Sequence, residues 1–236
     1  MIVSTAVVAV LLAAVFVAGS HLHLLRDRRA ADSIGAGVAT AYVFVHVLPE
    51  LQGARAALVA SAPVELWFEG IGINFLALVG FLAFYGLEHV RGRTAGSLVP
   101  AREREFRIHI GGFAAYVVLV TYLLLHGLEH TETLLELFAI AMMFHFLAID
   151  HHLHHEHGAA YERTGRWILA AACLLGWGIG LLLTLPPYVS ALLLAFVSGG
   201  IIVNSAIMEL PSEKDGRFLP FAFGALVFGA ILVPLG

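Results

Sequence analysis

Histidine and carboxylate side chains occur inside the apolar stretches of this sequence, at spacings that suit metal binding. His126, Glu129 and His130 stand at positions i, i+3 and i+4, so a helix would present all three on one face. Two imidazoles and a carboxylate that meet at one point form a ligand set for Zn²⁺ or another first-row divalent cation. The spacing therefore predicts a metal site near the end of this apolar stretch.

Other ionisable residues lie within apolar stretches or at their ends, where a charge is costly and usually functional. His145 lies about eleven residues into its stretch, which is roughly 16 Å along a helix and close to the middle of a bilayer. The run His151–His157 is typical of a solvated tract with weak metal affinity, although it would also suit an acceptor for ions that leave the core. We predict that the metal-binding residues are His126, Glu129, His130, His145, His46, Asp150 and Glu209.

The composition is that of an integral membrane protein. Of the 236 residues, 60% are hydrophobic and only 13% are charged. A helix that crosses a bilayer needs roughly 20 mostly apolar residues, and lipid excludes spans of irregular backbone. The sequence therefore predicts an all-α membrane protein, one transmembrane domain over residues 1–236, with eight transmembrane helices at about 2–20, 33–52, 69–90, 108–130, 134–154, 164–185, 188–210 and 218–235.

Charge and cysteine content exclude some other functions. The net charge of −4 gives no indication of a nucleic-acid partner. The single cysteine, Cys173, lies inside an apolar stretch, so the chain has neither an internal disulfide nor a thiolate metal site.

The distribution of Lys and Arg predicts the orientation of the helices. Twelve of the 13 fall in the first, third, fifth and seventh gaps between apolar segments, and only Arg55 falls elsewhere. By the positive-inside rule the odd gaps are cytoplasmic and both termini are outside. We expect an integral protein of a cell membrane, such as the bacterial inner membrane. This orientation places His126 in the outer half, His145 near the midplane and Asp150 at the inner side.

The second and seventh segments share a short pattern. Gly37 precedes His46 by nine residues, and Leu-Pro follows that histidine closely. Gly200 precedes Glu209 by nine residues, and Leu-Pro follows that glutamate directly. The two segments run in opposite directions in the predicted topology, and inverted repeats are a recurring plan of secondary transporters. We therefore expect the first three and the last three segments to be inverted halves, with the fourth and fifth between them.

These residues resemble those of the ZIP (Zrt/Irt-like) family of divalent-metal transporters. The likeness covers most of the chain, with eight spans, a long third gap and a second span that ends His46-Val-Leu-Pro49-Glu50, similar to the family's His-x-x-Pro-Glu. The resemblance implies a ZIP-like 3+2+3 inverted-repeat bundle with both termini outside. It also implies a metal site between the fourth and fifth spans.

The motifs of the fourth and fifth spans are matched in part. His126 matches the first position of a motif similar to His-Asn-x-x-Asp, and His130 replaces its acid. His145 matches the first position of a motif similar to His-Glu-x-Pro-His, whose other ligand positions are apolar here. The resemblance therefore implies one metal site built from His126, His130 and His145, with Glu129 or His46 as a further ligand.

These patterns favour a transporter of divalent metal cations, zinc or iron, rather than an enzyme. The expected partners are the lipid bilayer and the cation, and a homodimer remains open. A protein that binds or senses metal without transport is one alternative. A di-iron enzyme is another, because His126-x-x-x-His130 and His151-x-x-His154-His155 resemble histidine boxes, although the predicted topology separates them by roughly 30 Å. In a third alternative, His126 and His145 are the two axial ligands of a haem.

Overall fold

The computed structural model of the chain describes residues 2–19, 28–61, 72–90, 99–126, 132–209 and 217–235. In these ranges the backbone is almost entirely helical and contains no β-strand. The α-helices in these ranges are α1 Ile2–Ala18, α2 Arg28–Tyr42, α3 Leu48–Ser61, α4 Gly72–Val90, α5 Val99–His126, α6 Glu132–His157, α7 Arg166–Leu182, α8 Pro187–Asn204 and α9 Phe218–Leu232.

Two of the predicted segments contain a π turn, a helical turn widened by one residue. The turn Val43–Val47 joins α2 to α3, and the turn Ser205–Glu209 continues α8. Proline explains the position of the first turn, because Pro49 has no N–H for the carbonyl of Val45 and its ring would collide with that carbonyl in a regular helix. A π turn absorbs this mismatch. In the seventh segment, Pro211 follows its π turn at the same distance in the sequence.

The connection between α6 and α7 is short and well defined. Gly158 has a φ of 47°, in the left-handed region that glycine adopts at no steric cost. Its N–H donates to the carbonyl of His154 at 2.8 Å and so caps the end of α6. A third π turn, Tyr161–Gly165, then leads directly into α7.

The helices have the length and surface of a membrane protein. The two shorter apolar helices, α1 and α9, have 17 and 15 residues. Large apolar side chains such as Leu82, Leu182 and Leu226 are exposed on several helices, as expected of a surface in contact with lipid. The prediction of an all-α membrane protein is confirmed at this level for the described residues. The helices that are long and apolar enough to cross a bilayer contain the spans Ser33–Arg55, Gly72–His89, Arg102–His126, Leu135–His157, Tyr161–Leu182 and Pro187–Ile207.

Several helices extend beyond the bounds predicted from hydropathy. The second segment is helical from Arg28 to Ser61, rather than over 33–52, and α5 begins at Val99 rather than near 108. Hydropathy marks only the apolar part of a helix, whereas the hydrogen-bonded backbone continues through charged turns that lie outside the apolar layer. The predicted end of the fourth segment, 127–130, lies outside the described residues.

Successive segments run in opposite directions. His109 of α5 contacts His157 of α6, whereas Tyr116, farther along α5, contacts His145, which comes earlier in α6. The contacts between α4 and α5, and between α2 and α6, show the same reversed order. By contrast, the contacts of α2 with α9, α5 with α7 and α1 with α6 rise together in residue number, so these pairs are parallel. Tyr122 of α5 is bonded to Leu183 and Leu185 just before α8, whereas Tyr116, earlier in α5, contacts Gly200 farther along α8, so α5 and α8 are antiparallel. The helical segments therefore alternate in direction along the chain.

Matching glycines bring two pairs of parallel helices into close contact. Gly37 and Gly199 each stand six residues before a π turn. A methyl group on Gly37 would collide with the carbonyl oxygen of Phe221 in α9, and one on Gly199 would collide with that of Ala77 in α4. Glycine is needed at both positions because backbones approach this closely only where a side chain is absent.

The reverse contacts of the same two pairs also match. Gly224 of α9 faces the carbonyl of Ile34, and Gly80 of α4 faces the carbonyl of Phe196. Ile34 and Phe196 each stand three residues before the glycine of their own helix. The contacts of other helices correspond in the same way. α1 packs on α6 as α7 packs on α5, and α2 packs on α6 as α8 packs on α5.

The glycine contacts of α2 with α9 therefore match those of α8 with α4. The sequence pattern aligned Gly37 with Gly200. In the close contacts Gly37 corresponds to Gly199, one residue earlier.

Substitution of the contact glycines tests this packing. We expect Gly199→Ala and Gly37→Ala each to lower the free energy of unfolding by about 1–3 kcal/mol, the usual cost of overpacking. Gly178→Ala in α7 is the matched control, because a methyl group there meets nothing within 4 Å and alanine favours a helix over glycine by about 1 kcal/mol. Thermal unfolding in detergent measures all three variants. Equal stability of the three variants would contradict the close backbone contacts at Gly37 and Gly199.

Candidate functional site

His145 lies at the centre of the helix bundle. It stands near the middle of α6 and is 1% exposed. Its Nε2 lies 2.7 Å from the hydroxyl of Tyr116 in α5. Tyr116 is fully buried between the ring of Phe84 in α4 and Gly200 in α8. Four helices therefore meet around one imidazole–phenol pair.

Asp150 is a buried carboxylate five residues beyond His145 in α6. It is 4% exposed, and Oδ1 accepts a hydrogen bond of 2.6 Å from the hydroxyl of Tyr161. Gly19, at the end of α1, adjoins the same carboxylate so closely that a methyl group there would collide with it. Tyr161 begins the π turn before α7, so this turn aims the phenol at Asp150. A short hydrogen bond to a carboxylate is a strong one in a region of low dielectric.

His126 ends the described part of α5 and faces α7. Its Nε2–H donates to the carbonyl of Gly180 at 2.8 Å, and its ring lies 4.8 Å from that of Tyr122. Because Nε2 carries the proton, Nδ1 is the nitrogen that could bind a metal. A carbonyl that holds the second ring nitrogen is the usual outer partner of a metal-binding histidine.

His46 lies in the first π turn, together with a carboxylate one turn later. Its Nε2 is 3.7 Å from Oε2 of Glu50, and the ring of Tyr42 lies 4.9 Å away. Both members of the pair are partly buried. The other predicted ligands yield less information. Glu129 and His130 lie outside the described residues, and Glu209 is described only as the last backbone position of the second π turn.

Among the described residues, the structure does not bring His126 and His145 together. Tyr116 marks the level of His145 on α5, and His126 is ten residues farther along that helix, or about 15 Å. Both the shared metal site and the haem alternative require His126 beside His145. In the ranges that the structure describes, no three His, Cys, Asp or Glu side chains form a group that could hold a metal ion.

The structure adds one polar residue that the sequence patterns did not single out. Asn204 in α8 is fully buried, and neither atom of its amide has a hydrogen-bond partner among the described residues. It stands one turn after Gly200, which contacts Tyr116, so it lies on the same face of α8. A buried amide without partners is rare, and a bound water or ion is one explanation for it. Asparagine is common in sequences, and only its burial marks this one.

Tyr116 and Tyr161 could have been found from the sequence. Each hydroxyl lies in or beside an apolar run, where a phenol needs a partner. Together with His145, Asp150 and Asn204 they supply imidazole, carboxylate, amide and phenol groups inside the bundle. Such groups can exchange the water ligands of a cation or accept and release a proton.

Comparison with known proteins adds no further constraint, because no family model, curated protein or solved structure matches this chain.

Two substitutions compare a buried polar group that has a hydrogen-bond partner with one that has none among the described residues. Tyr161→Phe removes the hydrogen bond to Asp150, and we expect a loss of about 1.5–3 kcal/mol in unfolding free energy, typical of a bond to a charged group. Asn204→Leu has nearly the same shape and removes an unsatisfied buried amide, so stability should be unchanged or increased. Thermal unfolding in detergent compares the two. A strongly destabilised Asn204→Leu variant would show that the amide has a structural partner.

Proposed function

We propose that this protein transports a divalent metal cation, with zinc as the first candidate and iron as the second, across a cell membrane. The observation that carries the proposal is the matching of the glycine contacts of α2 with α9 and of α8 with α4. In our proposal these helices belong to two inverted halves on either side of α5 and α6, which meet at the buried His145. Inverted repeats of this kind underlie transporters that open their central site alternately to each side.

The ligand types favour a first-row transition metal. Imidazole suits Zn²⁺, Fe²⁺ and similar ions, whereas Mg²⁺ and Ca²⁺ prefer oxygen ligands. In our proposal His145 is the midway ligand, and the amide of Asn204 offers an oxygen one turn beyond Gly200, which contacts the partner of His145, Tyr116. His126, His130, Glu129 and His46 would receive the cation at the outer side. Asp150 and Glu209 would accept it toward the inner side.

The proposed membrane arrangement follows the charge pattern. Eight helical segments alternate in direction, which is the order that eight successive crossings require. With α1 and α9 as the two shorter crossings, both termini lie outside and the arginine-rich gaps lie in the cytoplasm. The partial resemblance to ZIP transporters supports the same topology and the same position of a site between the fourth and fifth spans.

Cysteine labelling tests the orientation. Cys173 is buried, so the native thiol should not react. Arg163→Cys, in the turn before α7, should be modified by a membrane-impermeant maleimide only after the cells are opened. Pro186→Cys, just before α8, should be modified in intact cells. Both positions are exposed, so the opposite pattern would invert the topology and contradict the proposal.

Zinc uptake into proteoliposomes tests transport. The wild-type protein should accumulate Zn²⁺ faster than protein-free liposomes do, and excess Mg²⁺ should not compete. His145→Ala should reduce the initial rate at least about tenfold, since even outer-shell changes at metal sites cost 10–100-fold. Asn204→Leu should also reduce the rate while the protein stays folded.

The control for this assay is His155→Ala. His155 is on the same helix as His145, and its side chain is 81% exposed. This variant should transport at the wild-type rate. Transport is rejected if the wild-type protein gives no uptake above the liposome background, and the role of His145 is rejected if its variant equals the control.

A further inference from the structure

Imidazoles meet where the C-terminal ends of α4 and α6 approach the first turns of α5. His109 of α5 is fully buried. Its Nδ1 lies 3.1 Å from Nε2 of His157, the last residue of α6, and its Nε2 lies 2.9 Å from the carbonyl oxygen of Leu87 in α4. One histidine side chain therefore joins three helices.

The carbonyl determines where the proton of His109 lies. A carbonyl oxygen only accepts hydrogen bonds, so Nε2 of His109 carries the hydrogen and donates it to Leu87. In the neutral ring Nδ1 then holds a lone pair, and this lone pair faces His157. Metal-binding histidines are usually held in this way, with the second ring N–H bound to a carbonyl or carboxylate.

The distance between the two imidazoles suits a shared metal ion. With Zn–N bonds of about 2.0–2.1 Å, two nitrogen ligands of a tetrahedral zinc lie about 3.3 Å apart. The observed 3.1 Å is close to this value. The rings are nearly perpendicular, at 85°. Without a metal, Nε2–H of His157 donates to Nδ1 of His109. A bound cation would take the place of this proton, and His157 would then carry its hydrogen on Nδ1.

Carboxylates surround the pair and would balance the charge of a cation. Glu105 and Glu156 both act electrostatically on His157. Glu105 precedes His109 by four residues, which places both on one face of α5. Next to the pair, Nε2 of His152 lies 3.1 Å from Oε2 of Glu88. Glu105 is thus a carboxylate that a change of rotamer could bring to the metal as a third ligand.

We propose that His109 and His157 form a binding site for Zn²⁺ or a similar first-row divalent cation, with Glu105 and water completing the coordination. Because the fold holds only the two imidazoles in place, the site would exchange its ion readily. The proposal does not depend on transport, because the site would bind metal at equilibrium in a protein that moves no ion. If the protein also transports the cation, this site binds it at the cytoplasmic end of the transport path.

Zinc titration of the purified full-length protein in detergent, after removal of metal with a chelator, tests this site. We compare the wild type with His157→Ala, His109→Gln and the control His155→Ala, which removes an exposed histidine of the same tract. The control should keep the wild-type affinity within about twofold. His157→Ala and His109→Gln should each weaken one zinc site at least about tenfold, since a lost ligand costs no less than a lost outer-shell partner.

The result separates a built site from a solvated histidine tract. Equal weakening by His155→Ala and His157→Ala would assign zinc binding to the tract and overturn the proposal, as would wild-type affinity in His157→Ala. If His109→Gln fails to fold, His157→Ala still tests the proposal, because the side chain of His157 is only half-buried and its loss should be tolerated. Zinc should also raise the unfolding temperature of the wild type by mass action, and His157→Ala should reduce this rise. Binding that persists in a protein inactive in transport would leave this site intact and reject only the transport function.

Discussion

Lipid provides no hydrogen-bond partners, and this absence governs where polar side chains lie in the bundle. Each buried imidazole or carboxylate must find its partner on a neighbouring helix. His145 meets Tyr116, and Asp150 accepts from Tyr161. These hydrogen bonds offset the free-energy cost of burying polar side chains. They also determine which helices lie next to each other. Asn204 departs from this pattern among the described residues, and for that reason it marks the candidate pathway.

Close contact between helices has a different origin. Apolar side chains gain little by leaving lipid for protein, so helices associate where small residues let their backbones pack tightly. Gly37 and Gly199 provide matching contacts in the pairs α2 with α9 and α8 with α4. A π turn begins six residues after each of these glycines, and a proline follows two residues after each turn in the sequence. A repeated contact held by backbone rather than by long side chains can slide or rock as a unit, as alternating access requires.

Much of the fold could be predicted from the sequence, and the site much less. Periodic apolar segments and backbone hydrogen bonding require helices, and the structure has a helix in each predicted segment. The sequence pattern pointed to Gly37 and Gly200, whereas the matching close contacts involve Gly37 and Gly199. The set of metal ligands was harder to predict. The short connection between the fourth and fifth segments of the sequence indicates that α5 and α6 are neighbours, but it does not indicate which faces of the two helices meet. His126 faces α7 instead of His145, and no spacing within one helix specifies that rotation.

The sequence by itself determined the helical class, the membrane character and the alternation of direction, because each depends on local hydropathy and on backbone hydrogen bonding. It also showed which residue types could bind a cation. Only the tertiary structure decided which of those residues face one another, since that depends on how each helix rotates to bury its small residues against a neighbour. His109 illustrates the difference. In the sequence it is one histidine beside a basic stretch, and in the folded chain it is the residue where three helices meet.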